Sequence, residues 1–285
     1  MEQVKEKVLL AVLAHPDDET FGMGGTLALY ARQGVKAYLV CATRGEVGSM
    51  DADCMDGFQT VAERREHELR CAAQKLELSG VFFLGYRDSG MPGSPDNSHP
   101  EALAAAPLED VAAKVAHYIR LLKPQVVVTF DPIGGYRHPD HIAIHQATVK
   151  AFDTAADAAL YPQDLPAFRA QKLYFQTISK KWLKFVVLLL KLVGKDPKKF
   201  GRNGDIDLES LSKVEFPVHA RIDYSSVMQE KDEASACHAS QGGGNMRRGL
   251  TGLVTRRLAA KENYMRAFPS PQKGAVERDL FAGIE

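Results

Sequence analysis

The chain has 285 residues, with 36 Lys+Arg against 36 Asp+Glu, so its formal net charge is zero. At 45% hydrophobic and 25% charged, it has the composition of a globular protein with a sizeable core, which excludes a disordered chain. A zero balance also argues against a general nucleic-acid binder, and four scattered cysteines without Cys-x-x-Cys spacing read as reduced thiols of a cytosolic protein.

Strand-length apolar runs alternate with helix-period segments through the first half. Val8–Ala14 follows a segment with two Glu against two Lys, a poor secretory leader, and reads as a buried strand. A helical stretch Thr26–Gln33 ends at Gly34, and Lys36–Ala42 is a second strand. Gln59–Leu78 forms a long helix with Leu69, Ala72, Ala73 and Leu76 on one face. Val81–Leu84 is a strand, Leu108–Leu122 a helix stopped before Pro124, and Val126–Phe130 a strand. This alternation predicts an α/β fold, a parallel sheet with helices on both faces. Ligands of such sheets sit beyond the carboxyl ends of the strands, where strand order reverses. Further on, His141–Ala159 reads as a helix, Lys172–Ile178 as a strand, Glu215–Ile222 as a strand near a sheet edge, and Ser225–Ser240 as a helix. One domain covering 1–285 is the simplest organisation.

Two polar clusters follow strands. The first, Ala14-His15-Pro16-Asp17-Asp18-Glu19, offers His and carboxylate donors at chelating spacing. Asp17 and Asp18 could instead cap the next helix. The second, Phe130 to His141, carries Asp131, His138, Asp140 and His141. A catalytic zinc site takes three protein ligands and keeps one position for water, so His15, Asp18 and one histidine of the second cluster would make such a set. His145 reads as a solvated helix residue. Gly22-Met23-Gly24-Gly25 fails the dinucleotide spacing, and the chain has no Walker A and no G-x-S-x-G sequence.

The two clusters resemble the zinc-dependent N-deacetylases of the LmbE / PIG-L type, among them the mycothiol- and bacillithiol-pathway deacetylases. Thr43–Glu46, Arg87–Met91 and His238–Gln241 agree in the family's order. The resemblance implies a Rossmann-like, doubly wound, mostly parallel sheet and removal of the acetyl group from an N-acetylglucosaminide. It implies Zn²⁺, with Fe²⁺ as the other candidate, on His15, Asp18 and His141. Asp17 would be the general base, and His138, oriented by Asp140, an imidazolium that stabilises the tetrahedral oxyanion or protonates the leaving amine. Tyr136 would donate to the oxyanion, and Glu46, Arg65, Asp88 and His238 would bind substrate. Glu19 falls to structure. A variable insertion or lid is expected around 150–215 and a C-terminal extension around 242–285, with the Arg247–Arg257 stretch contributing to specificity.

The expected partner is a small N-acetylated amino-sugar conjugate, such as a thiol-cofactor precursor, with no nucleic acid. An amidase for a larger acyl group and a non-catalytic sugar-binding protein are the other readings. The basic, apolar segment Lys180–Arg202 is expected to be a lid or an oligomer-interface helix, so homo-oligomers are open and stable membrane association is not expected. The location read from this is cytoplasmic.

Overall fold

The computed structural model describes residues 6–161, 165–201, 204–244, 260–271 and 274–284. In chain order the elements are β1 (Val8–Leu13), α1 (Asp18–Arg32), β2 (Lys36–Cys41), α2 (Val61–Lys75), β3 (Gly80–Phe83), α3 (Leu108–Leu122), β4 (Val126–Phe130), the single turn α4 (Gly134–Arg137), α5 (Pro139–Thr154), β5 (Lys172–Thr177), α6 (Lys180–Leu192), α7 (Leu208–Leu211), β6 (Ala220–Asp223), α8 (Met228–Cys237) and β7 (Lys261–Phe268). The sheet order is β3-β2-β1-β4-β5-β7-β6. Strands β1 to β5 are parallel, while β7 runs antiparallel to both β5 and β6. The chain winds outward from β1 to β3 and then crosses back to β4, so strand order reverses between β1 and β4.

That winding puts helices on both faces, as the alternation in sequence predicts. Every residue of β1 and β4 is buried, which is why both read as unbroken apolar runs. Helix α3 turns Val111, Ala112, Val115, Ala116 and Ile119 inward and ends at Lys123 in the left-handed conformation. Beyond α5, the buried Arg120 guanidinium donates to the carbonyls of Ala155, Tyr161, Asp157 and Leu160, fixing the chain's exit from that helix.

The structure moves several boundaries. Helix α1 begins at Asp18, eight residues before the expected Thr26, because the polar cluster is itself the helix start. The 242–285 segment is woven into the sheet, not appended to it, because β7 lies between β5 and β6. Its buried Glu262 accepts from the backbone N–H of Gly25 and Thr26 and from Thr26 Oγ1. Gly25 is needed there because a Cβ would fall 2.2 Å from the Tyr224 ring. The expected 150–215 insertion likewise contains β5, an interior strand, so the added structure is α6 and α7. Arg247–Arg257 lies outside the described residues. The reduced-thiol expectation also needs correction: Cys71 on α2 and Cys237 at the end of α8 form a disulfide, while Cys41 and Cys54 are free. The two helices pack together, bringing residues 166 apart in sequence within bonding reach.

Candidate metal centre and catalytic cleft

Loops after β1 and β4 meet at the reversal point. Pro16 and Asp17 turn the chain from β1 into α1, and Asp17 holds φ 127°, a strained conformation for a residue with a side chain. It occupies the N-cap position, yet its carboxylate caps nothing. Instead it accepts from Arg65 Nη2 at 3.1 Å, while its own N–H donates to Glu19 Oε2 at 2.9 Å. The capping alternative therefore fails for Asp17.

After β4, Asp131 Oδ1 accepts from the N–H groups of Ile133 and Gly135 and shapes the turn. Gly134 has φ 65° there, and a Cβ on it would meet His141 Cβ at 2.8 Å. His138 caps α5, its Nδ1 accepting from the Asp140 N–H at 3.2 Å, with Pro139 in the first turn. His141, one turn later, stacks on Phe130 with ring centroids 3.9 Å apart.

His15, Asp18 and His141 converge. His15 Nδ1 lies 3.2 Å from His141 Nε2 and 3.6 Å from Asp18 Oδ2, and His141 Nε2 lies 3.4 Å from Asp18 Oδ1. A tetrahedral ion with ligands at 2.0–2.2 Å separates its donors by about 3.3–3.6 Å, so this set fits a zinc-sized cation. His138 also falls within reach of His15 and His141, and Asp88 with Asp140 within reach of His15.

Electrostatics favour positive charge at the same point. Burial opposes charging of His15, but Asp88, Asp140 and Asp18 outweigh it and raise its pKa well above the usual value. Burial would also raise Asp18, but His141 and His15 hold it well below the carboxylate range. Burial lowers His141 to about 4 against the pull of Asp18. Burial, with His15 and His141 adding to it, lowers His138 to about 3. Asp17 is pushed up to about 6 by burial, with Arg65 opposing. Burial raises the Tyr136 phenol, which stays protonated.

A cleft of about 810 Å³ opens on this cluster, lined by His15, Asp17, Arg65, Asp88, Tyr136 and His138 among others. The remaining expected residues divide. Asp140 does not orient His138 through its carboxylate; that group sits 3.0 Å from His15 Nε2 and accepts from the Ser89 N–H at 2.9 Å and from the Ser89 hydroxyl. Arg65 is on the cleft wall but is buried, donating to the Pro16 and Gly45 carbonyls as well as Asp17. Glu46 is half-buried and accepts from the Asp88 N–H at 3.0 Å. Asp88 Oδ1 faces His15 Nε2 at 3.5 Å and accepts from the Gly90 N–H.

His238 does not reach the cleft. It is fully buried behind α1, with Nε2 2.7 Å from Glu19 Oε1, so substrate contact is corrected to a brace under Asp17. His145 is likewise buried, Nδ1 2.8 Å from the Phe130 carbonyl, not solvated. Sequence reasoning missed Ser89, which grips Asp140, and Gln241 with Gly242, which line the cleft. For Ser89 and Gln241 their position inside the Arg87–Met91 and His238–Gln241 motifs was the available signal, and Gly242 adjoins the second.

A parallel sheet with a buried His/Asp/His cluster at its reversal point, and the Asp17 carboxylate lining the cleft beside it, fits the LmbE-like deacetylase class. A family model described as PIG-L, GlcNAc-PI de-N-acetylase, matches residues 10–152, and the chain belongs to that family. The 1D-myo-inositol 2-acetamido-2-deoxy-alpha-D-glucopyranoside deacetylase of Thermobifida fusca strain YX is 36% identical over 98% of this chain and 100% of its own length. Among solved structures, the N,N'-diacetylchitobiose deacetylase of Pyrococcus horikoshii superposes with a TM-score of 0.61 at 19% identity, covering 92% of this chain and 84% of that one. GalB, the 4-carboxy-2-hydroxymuconate hydratase of Pseudomonas putida KT2440, superposes with a TM-score of 0.60 at 21% identity, covering 94% and 98%. A hydratase and a deacetylase on one fold show that the fold alone does not choose the reaction. The sequence relatives do: the chain is a hydrolase of the metal-dependent N-deacetylase type, acting on an N-acetylglucosaminide.

Proposed function

We propose that the substrate is a small glucosaminide whose aglycone is a polyol, as in the Thermobifida relative's name, and that His15, Asp18 and His141 hold one Zn²⁺. The observation carrying this is the 3.2–3.6 Å convergence of those three donors beside an Asp17 carboxylate that no cap has claimed. The cleft volume suits a disaccharide-sized ligand.

When bound, zinc supplies a Lewis acid for the amide carbonyl and lowers the pKa of water to about 7. Asp17 takes the proton of the attacking water; raised to about 6, its carboxyl is ionised at neutral pH yet basic enough to hold that proton. The same proton then passes to the departing nitrogen, so no amide anion forms. His138, neutral and accepting at Nδ1, carries its proton on Nε2 and donates it as a hydrogen bond to the oxyanion. The Tyr136 hydroxyl is a second donor. Asp140 and Asp88 fix the His15 ring by accepting at Nε2, leaving Nδ1 turned toward Asp18 and His141.

A cytoplasmic location goes with a small diffusible substrate; the cysteines no longer argue for it, since two of them are paired. Among the described residues, no helix is long and apolar enough to cross a membrane. The test combines metal analysis with release of free amine from 1D-myo-inositol 2-acetamido-2-deoxy-glucopyranoside, N,N'-diacetylchitobiose and an N-butyryl analogue. Preferred turnover of the first, lost on chelation and restored by zinc, is expected. Faster turnover of the butyryl analogue, or full activity in metal-stripped protein, would overturn the proposal.

A further inference from the structure

We propose that α6 is an in-plane anchor that docks this chain on an anionic lipid bilayer. The helix has three faces. Leu183 and Val187 point inward onto Leu208 and Leu211 of α7, with Ile133 and Tyr136 beside them. On the outer side, Trp182, Phe185, Leu188, Leu189, Leu192 and Val193 are exposed by 44–73% of their surface. Trp182 and Phe185 pair their rings 5.7 Å apart at one end of that face. The same helix carries Lys181, Lys184 and Lys191, all exposed, with Lys195, Lys198 and Lys199 following its end.

A contiguous row of large apolar side chains edged by lysines is the pattern of a helix lying in a headgroup layer. A lid role would engage only the inner side of α6, which packs beside Tyr136 and Ile206 of the cleft wall, and it leaves the outer apolar row unexplained. A second copy is a poor occupant as well. From Lys180 to Arg202 the chain carries eight basic residues and one acid, so two apposed copies would bring lysine rims together. The nearby acids are engaged: Glu215 pairs with Lys180 at 2.7 Å and Glu209 with Lys191 at 3.2 Å. An anionic surface answers both the apolar face and the uncompensated charge. The expectation against membrane association is thus reversed for the surface, without any spanning segment.

The test uses the full-length chain and vesicles of phosphatidylcholine with about 30% phosphatidylglycerol. We expect sedimentation with these vesicles at about 50 mM salt, with binding at least about tenfold weaker at about 500 mM. Pure phosphatidylcholine should bind poorly. Phe185→Ser/Leu189→Ser and, separately, Lys181→Glu/Lys184→Glu should each abolish sedimentation while retaining turnover of a soluble glucosaminide, which reports an intact fold. Failure of the wild-type chain to sediment overturns the proposal, and a dimer dissolved by Phe185→Ser/Leu189→Ser would then assign the face to a second copy. Sedimentation unaffected by both double variants overturns it too.

Discussion

The catalytic cleft and the outer face of α6 break the usual inside–outside rule in opposite directions. At the carboxyl ends of β1 and β4, His15, Glu19, Asp140 and His141 are buried, each held by a partner of complementary chemistry, with His238 from the end of α8 against Glu19. On α6 and at its end, six large apolar side chains face outward and stay largely exposed, with Trp182 and Phe185 paired only with each other's rings. Buried polar groups are costly unless paired, and large exposed apolar patches mark contact surfaces. Both regions therefore carry information that an ordinary core residue does not. They also differ in rigidity of design: the first region tolerates little change, while the second should tolerate almost any change without loss of fold.

The comparison can be broken most severely at the aspartate pair. Asp18→Ala should lose bound zinc and activity together. Asp17→Asn should keep its metal and fold but lose about 10²–10⁴ in kcat. Asp17 acts in its ionised form, so the wild-type rate should fall as pH drops through about 6, and the variant should lack that limb. Metal analysis and pH–rate profiles check both. Near-normal kcat in Asp17→Asn would remove it as base.

A second strike falls on the brace beneath the cleft. Burial works against charging His238, but Glu19, whose Oε1 lies 2.7 Å from Nε2, overcomes it and raises its pKa. Glu19→Ala strands His238 and frees the Asp17 N–H, and should cost about 3–5 kcal/mol in urea unfolding. A change under about 1 kcal/mol would show that the pair is dispensable. The remaining two variants divide α6 against itself. Leu183→Ala, on the inward face, should cost about 2–4 kcal/mol. Leu192→Ala, 73% exposed, should stay within about 0.5 kcal/mol of wild type. Equal costs would mean that the outer face is covered within the monomer.

The sequence was most legible where one physical signal dominated. Strands buried on both faces gave unbroken apolar runs, and α3 and β4 fall where periodicity and Pro124 put them. The His and Asp clusters were legible because charged donors directly after apolar strands have few structural uses. Strand β7 was not, because Glu262 interrupts the alternation and its burial rests on Gly25, Thr26 and Lys231, more than thirty residues away in each case. His238 was located but miscast, while Arg65 does line the cleft. Proximity in a motif gives no sign of which way a guanidinium or imidazole points; Arg65 turns to the Pro16 and Gly45 carbonyls, and His238 turns away to Glu19. The composition of α6 did not reveal which of its faces is already occupied by α7.

The Cys71–Cys237 bond makes the chain a closed ring with two tails. The ring contains β3, α3, β4, α4, α5, β5, α6, α7, β6 and α8, while β1, α1 and β2 belong to one tail and β7 to the other. A protease that cuts the polypeptide once anywhere inside the ring opens it without releasing a fragment. On a denaturing gel such a nicked chain should run near full mass until a reductant separates two pieces. A cut in either tail should release its piece with or without reductant. The connectivity thus sorts proteolytic accidents into two kinds, those the molecule keeps and those it loses.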